Sequence, residues 1–453
     1  MKPSLFCLFL ILILSSCGSQ KESEISENEQ LILEIQTAAK EQLLEKWYPL
    51  AIDNEDGGYY SEVTHDFQLG ENHDKMIVTQ ARHLWTNALA SQLYPEKDIY
   101  LENAEHGFEF LQQQMWDKTN GGFYNLVTKQ GEPILQKGGE KTAYGNAFAI
   151  YGLAEYYRAS GDEEALELAQ KTFRWLEEHA RDPEYKGYFN ILNVEGNVLE
   201  RTEEWPSTSD VGYKDQNSSI HLLEAFTTLY EVWPDDLLRE RLEEMLVLVR
   251  DTITTENGYM NLFFEPDWTP VSFRNNSREE VEKHYYLDHV SFGHDVETAY
   301  LMLEASHALE LENDTITLKT GKKMVDHSLR NGWDEQTGGF YDGGYYFPGE
   351  NEIDILNRKK NWWAQAEGLN TLLIMDRYFP EDEMNYRNYF DQLWDYTQTY
   401  LIDSKNGGWY EWALDETPEA KNDLKGHIWK AAYHNFRALQ NMLEELERRE
   451  NEV

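Results

Sequence analysis

The chain has 453 residues, of which 41% are hydrophobic, enough for a large core, and it carries 40 Lys and Arg against 83 Asp and Glu, a formal charge of −43. A field of that sign repels nucleic-acid phosphates and anionic lipid headgroups, which argues against both as partners. Aromatic residues make up 13% of the chain, including 14 Trp and 28 Tyr; most belong in a core, and sugar-handling proteins also stack such rings on pyranose faces.

In chain order, the first element is an address. Lys2 supplies a positive start and Leu5 to Leu14 an apolar run too short to span a membrane as a mature helix. The run ends in Leu14-Ser15-Ser16-Cys17-Gly18, which resembles the lipobox of bacterial lipoproteins. That resemblance implies lipidation of Cys17 and a membrane-anchored protein on the periplasmic or cell-surface side; an ordinary secretory signal with an incidental cysteine is the alternative. The expected divisions are a signal with its cysteine at 1–17, a flexible acidic tether at 18–30, and one domain at 31–448, expected as a monomer. Cys7 leaves with the signal and Cys17 carries lipid, so the mature domain offers no thiol for disulfides, nucleophilic catalysis or metal binding.

Past the tether a Gly followed by aromatics keeps returning. It stands as Gly57-Gly58-Tyr59-Tyr60, Gly121-Gly122-Phe123-Tyr124, Gly187-Tyr188-Phe189, Gly258-Tyr259, Gly338-Gly339-Phe340-Tyr341 and Gly407-Gly408-Trp409-Tyr410, in steps of 64, 66, 71, 80 and 69 residues. A recurring step of this kind marks a repeat architecture. Apolar spacing, such as Ala104, Phe108, Leu111 and Met115, predicts twelve helices, at 29–47, 75–94, 98–117, 142–159, 163–180, 217–232, 236–254, 293–310, 316–331, 361–379, 383–401 and 427–448. The Gly-aromatic turn follows each odd helix. Each even helix passes to the next through a short acidic turn such as Trp233-Pro234-Asp235. Six hairpins with alternating long and short connections predict an all-α (α/α)6 barrel, with even helices inside, short β-hairpin loops at one mouth, and an open solenoid as the competing form. The long segment from Gly258 to Phe292 is expected as a cover over that mouth, or in part as extra strands.

Residues poorly suited to a plain core stand near the start of each even helix: Arg82, Tyr144, Asn217 with His221, His294 with Glu297, Trp363 with Glu367, and Trp429 with His434. Each singly has an ordinary structural reading, as a satisfied histidine, an ion pair or a core ring. Their recurrence at equivalent positions points to one shared site. The five-residue spacings of His284, His289 and His294 suggest zinc only weakly, because they do not put three ligands on one helical face.

These segments resemble the N-acylglucosamine 2-epimerase family, nearest its cellobiose and mannobiose 2-epimerase branch, from Trp47 to about Leu446. The specific pieces are Ser291-Phe292-Gly293-His294-Asp295-Val296-Glu297, Trp362-Trp363-Ala364-Gln365-Ala366-Glu367 and Trp429-Lys430-Ala431-Ala432-Tyr433-His434-Asn435-Phe436-Arg437-Ala438. The resemblance implies the (α/α)6 fold and a small carbohydrate substrate. It further implies His294 and His434 as the acid/base pair, assisted by Arg82 and His221, with Tyr144, Asn217, Glu297, Trp363, Glu367 and Trp429 lining the site. Neither a cofactor nor a metal is expected. The disaccharide enzymes usually carry His-x-His where this chain has Ser219-Ile220-His221, and Trp where Tyr300 stands, which leaves room for free mannose as well as mannobiose or cellobiose. The competing functions are an aldose–ketose isomerase of the same family, a glycoside or unsaturated-uronide hydrolase, and a non-catalytic glycan-binding lipoprotein.

Overall fold

The computed structural model describes residues 27–349 and 352–452. The expected signal, Cys17 and the tether as far as residue 26 lie outside the described residues. The last part of the expected tether is already helical: α1 starts at Glu27, with Gln30 Nε2 donating to Glu34 one turn on at 2.9 Å. Acidic residues such as Glu29 in a first turn complement the helix dipole, so the acidic composition read as a linker serves here as a helix start.

Twelve long helices follow one another among the described residues. They are α1 (Glu27–Ala39, prolonged to Trp47), α2 (Ile77–Leu93), α3 (Asp98–Phe110), α4 (Ala143–Ser160), α5 (Glu163–His179) and α6 (Gln216–Val232). Then come α7 (Asp236–Leu248), α8 (Phe292–Ala308), α9 (Thr315–Gly332), α10 (Trp362–Tyr378), α11 (Tyr386–Tyr400) and α12 (Tyr433–Glu452). Helices α1, α3 and α7 continue into π-helical turns before their loops. The even helices pack neighbour to neighbour, and α12 closes onto α2, while each odd helix rests against the even helix preceding it, α1 lying on α12. That closure makes an (α/α)6 barrel and removes the open solenoid. Backbone bonds across the seam reinforce it: Val63 N to Gly426 O at 3.1 Å and Lys425 N to Val63 O at 2.7 Å. Position in the ring explains the sequence pattern. Inner helices such as α4 are buried nearly all round from Ala143 to Tyr156, whereas outer α5 buries one face through Ala165, Leu168, Thr172 and Leu176. The outer helices open on acidic or amide caps, with Asp235 accepting from Leu237 N at 2.9 Å and Asp314 from Thr317 N at 3.0 Å.

The Gly-aromatic loops gather at the end where the inner helices begin. Gly122 is left-handed, at φ +70°, and a Cβ there would meet the Trp175 indole at 2.7 Å. The aromatic that follows is clasped by a polar side chain from the first turn of an inner helix. Gln80 binds Tyr59 N and O at 2.8 Å each, Asn146 binds Phe123 N at 2.8 Å, and Gln365 binds Phe340 N and O at 2.7 and 2.9 Å. A second tie recurs beside it. In five repeats a buried Lys ahead of the inner helix reaches the Asp that opens the turn: Lys75–Asp53, Lys141–Asp117, Lys214–Asp182, Lys360–Asp334 and Lys425–Asp403, at 2.7 to 2.9 Å. The same amines donate to turn carbonyls as well, as Lys141 does to Gly121 O at 2.6 Å and to Val194 O at 2.7 Å. The fourth repeat has Thr255 and Val290 at those places.

Short strands lead into the inner helices and pair antiparallel with the next repeat's loop: β1 (Lys75–Met76) with β2 (Leu126–Val127), β3 (Lys141–Thr142) with β4 (Ile191–Leu192), and β5 (Lys214–Asp215) with β6 (Phe263–Phe264). β7 (Val290–Ser291), β8 (Gly343–Tyr345) and β9 (Asp354–Asn357) form a three-stranded sheet. The Gly258–Phe292 segment contributes β6, a short helix at Arg278–His284 and β7. It packs through Val281 on Tyr345 and Phe347, and through Val290 and Phe292 on Tyr341. This segment is a built wall containing strands. The last inner helix departs from expectation, beginning at Tyr433 instead of 427. Residues 427–432 form a turn because its groups are committed elsewhere: His427 Nε2 lies 3.1 Å from Glu411, Lys430 Nζ donates to Trp409 O at 3.0 Å, and Thr79 donates to Ile428 O.

Candidate active site

The residues predicted from six separate helix starts fall into one continuous set of contacts at the loop end of the inner ring. Tyr144, Asn217, His294 and Trp363 are half-buried at its surface, and Glu297, Glu367, His434 and Arg437 are buried beneath. Arg82 on α2 donates to Trp429 O at 2.9 Å and to the Tyr144 hydroxyl at 3.2 Å, and its guanidinium lies over the Phe148 ring at 4.4 Å. Asn217 stands beside that same hydroxyl, and the Tyr144 ring meets His221 edge-on at 5.3 Å. Trp429 is expected on α12. It lies instead in the turn before that helix, 47% exposed, with its ring free to meet a ligand and its carbonyl holding Arg82.

The two histidines share one indole. Trp363 lies 4.6 Å from the His294 ring and 5.9 Å from the His434 ring, centroid to centroid. Gly293 makes that approach possible, since a Cβ there would meet Ala364 at 2.5 Å and Trp363 at 2.8 Å. Each imidazole is oriented through Nδ1, which leaves Nε2 open. His294 Nδ1 lies 2.7 Å from Ser291 Oγ, and His434 Nδ1 lies 2.6 Å from Glu367 Oε1. Burial lowers the pKa of His294 to about 3, with the nearby His221 ring adding to the effect. Burial likewise drives His434 well below the ordinary histidine value, helped by the positive charges of Arg82 and Arg437. Both rings are therefore neutral at neutral pH and able to accept a proton.

Below them sits Arg437, which ties three carboxylates together. Its Nη2 donates to Glu297 Oε1 and Glu367 Oε1 at 2.7 Å each, and its Nη1 bonds Glu224, whose other oxygen lies 2.7 Å from His221 Nδ1. Tyr433 adds a bond to Glu224 at 2.6 Å. The three acids respond differently. Burial pushes Glu297 up to about 7, with Glu367 repelling it, and burial pushes Glu367 up to about 7 against the opposing charge of Arg437. Glu224 is equally buried, yet Arg437 and His221 outweigh burial and hold it at about 2. Oε2 of both Glu297 and Glu367 is buried without a hydrogen-bond partner, in keeping with carboxyls that hold a proton up to about pH 7.

Arg437, Glu224, Tyr433 and Ser291 carry this arrangement and were not among the residues singled out from sequence. The available signal was spacing: Arg437 follows His434, and Glu224 follows His221, by three residues on one helical face. The histidines of the weak zinc idea go to separate partners, His284 to Glu280 at 2.9 Å, His289 to Tyr285 O at 3.0 Å and His294 to Ser291. Glu297, Glu367 and His434 do bring ligand atoms within 4.8 Å of one another. The Arg437 guanidinium already serves as the cation between those two carboxylates, so the donor set fits an arginine better than a metal ion.

A neutral pair of imidazoles, one half-buried and one buried, over hydrogen-bonded carboxylates and beside Trp363 and Trp429, suits proton transfer on a polar substrate. Comparisons with known proteins agree. The family profile described as N-acylglucosamine 2-epimerase (GlcNAc 2-epimerase) matches residues 58–438. A cellobiose 2-epimerase from Bacteroides fragilis is 30% identical over 428 residues, 92% of this chain and 100% of its own. The solved cellobiose 2-epimerase of Spirochaeta thermophila superposes with a TM-score of 0.76 at 28% identity, covering 93% of this chain and 98% of that one. A D-mannose isomerase from Marinomonas mediterranea is 24% identical over 88% of this chain and 94% of its own. The closed barrel, the two histidines and the extent of these matches together show that this chain belongs to the N-acylglucosamine 2-epimerase family.

Proposed function

We propose that the protein inverts C2 of a reducing sugar of the glucose/mannose type, mannobiose, cellobiose or free mannose, with His294 and His434 as the acid/base pair. The observation that carries this reading is the pair of neutral imidazoles set about one indole, each fixed through Nδ1 and offering Nε2. After ring opening the C2 proton is weakly acidic, so its removal needs a placed base and donors for the enediolate oxygens. One imidazole takes the C2 proton and becomes an imidazolium, while the other, carrying a proton taken up from solvent, returns it to the opposite face; the roles exchange with direction. His434 works with Glu367, which accepts from Nδ1 and steadies the imidazolium. Arg82 and His221 donate to the developing oxyanion, and Glu297 holds a sugar hydroxyl. Trp363 and Trp429 stack on sugar rings, while Tyr144 and Asn217 border the substrate. No step calls for a cofactor.

The D-mannose isomerase relative keeps a second reading in view: the same enediolate reprotonated at C1. Incubation of the pure protein with mannose, mannobiose and cellobiose in turn separates the two. Glucose from mannose, or the C2 epimer of a disaccharide, supports epimerisation; fructose as the product from mannose supports the isomerase; and no turnover of any of them defeats both. Release of nitrophenol from a nitrophenyl glycoside, which has no reducing end, would instead mark a hydrolase. The lipobox-like run adds a proposal on place: a monomer tethered by lipid on Cys17 to a membrane, outside the cytoplasm.

A further inference from the structure

Outside the catalytic end, the outer helix α9 borders an open cavity of about 540 Å3 whose chemistry runs against the rest of the molecule. The chain carries −43 overall, yet the walls here present Lys319, Lys322, Lys323, Arg330 and His327, and among the described lining residues Asp326 is the single carboxylate. Lys322 is spent on Asp326 at 2.8 Å and on Asp382 at 3.1 Å. The other cations are largely uncommitted. Lys323 makes one bond, to the Glu256 carbonyl at 3.2 Å, and Arg330, 62% exposed, touches Asp326 at 3.4 Å. Lys319 is exposed and lines the cavity. Four cations against two carboxylates leave two positive charges facing solvent.

A second observation is independent of charge. His327 is 6% exposed, its Nε2 is paired with the Tyr346 hydroxyl at 2.8 Å, and its Nδ1 is buried without a partner. The wall thus holds a polar atom whose hydrogen-bonding capacity the protein leaves unmet. Tyr346 and Tyr259 lie tilted beside the ring, at 6.1 and 5.3 Å, giving the site an aromatic side, and Asn257 and Asn331 add amides. The volume exceeds what a bare inorganic anion needs and falls in the range of small-molecule sites.

We propose that this cavity binds an anionic saccharide through its carboxylate or sulfate group, apart from the catalytic site. The cations neutralise the acid group, the amides meet hydroxyls, and Tyr346, held by His327, supports a sugar face. This is independent of the epimerase reading, since none of these residues takes part in it. The test is calorimetric titration of the full protein with methyl glucuronoside, the 6-sulfate of methyl glucoside, neutral methyl glucoside and inorganic sulfate. None has a reducing end to be turned over. Saturable binding of either acidic glycoside, weakening as salt is raised, is expected, with the glucuronoside and the sulfate ester telling which acid is preferred. The double variant Lys319→Glu, Lys323→Glu should bind at least about tenfold more weakly, a difference of about 1.4 kcal/mol, and epimerise a neutral sugar as the parent does. Equal binding by the double variant, no saturable binding of either acidic glycoside, or binding of inorganic sulfate as tight as theirs would each overturn the proposal.

Discussion

Replacing Arg437 by Met keeps the length of the side chain and removes the cation shared by Glu224, Glu297 and Glu367. The size of the effect follows from Glu224. Burial alone would raise its pKa above the usual 4.5, yet with Arg437 and His221 beside it the carboxyl sits at about 2. At about 1.4 kcal/mol for each tenfold change in proton affinity, that corresponds to about 3 kcal/mol of folding stability. The figure agrees with the about 3–5 kcal/mol typical of breaking a buried ion pair by removing one partner. The sign follows as well. A carboxyl whose folded pKa is depressed contributes stability that is present above its unfolded pKa and lost as pH falls through the folded one. The Arg437→Met protein should therefore be destabilised in full at about pH 7, and the gap to wild type should narrow at about pH 3, below the unfolded pKa of Glu224, where protonation of the unfolded chain has removed part of the wild-type contribution. Urea denaturation midpoints of both proteins at the two pH values measure this. Matching midpoints at neutral pH, or a gap that does not change with pH, would refute the electrostatic account of the Arg437 cluster.

His294→Ala and His434→Ala should each nearly abolish epimerisation, with the double variant little worse than either, because the pair acts as a unit; product formed in deuterated water should carry deuterium at C2. Near-normal turnover by either single variant would sink the assignment. The profile of kcat against pH should be bell-shaped, its acidic limb lying near 7 where Glu297 and Glu367 give up their protons and Glu367 becomes able to accept from His434 Nδ1, and a limb unmoved in Glu367→Gln would separate it from that carboxyl. Chelators should leave activity intact, since Arg437 supplies the cation between the two carboxylates; a loss reversed by added metal would revive metal binding. Cys17→Ala should move the protein from the detergent phase to the aqueous phase, and unchanged partitioning would count against lipidation.

The barrel was legible because its repeat is written in residues that backbone geometry requires. Only glycine readily takes the left-handed turn, so Gly57, Gly121, Gly187, Gly258, Gly338 and Gly407 mark the loops whatever else varies. The polar residues at inner helix starts were legible as a group but not sorted by direction. Gln80, Asn146 and Gln365 stand in the same turns as Arg82, Tyr144 and Glu367, yet clasp the Gly-aromatic loops. Arg437 was hidden because Arg near a helix start reads as a surface residue until the ring closes and three carboxylates from α6, α8 and α10 surround it. The late start of α12 was equally hidden, since what holds residues 427–432 out of the helix is contact with Thr79 and Glu411, distant in the chain.

The five buried Lys–Asp ties bear on how this mouth can be rebuilt. Each fixes the place where a loop leaves its turn and the place where the chain re-enters the inner helix, so the stretch between them can be exchanged while the ring keeps its frame. The barrel thus works as a chassis with five interchangeable rim segments, and grafted loops should respect the lysine and aspartate as their boundaries. The fourth segment is different. With Thr255 and Val290 at the anchor points, its position comes from its own apolar packing on Tyr341, Tyr345 and Phe347, so it can be transplanted only together with the β8–β9 hairpin that receives it.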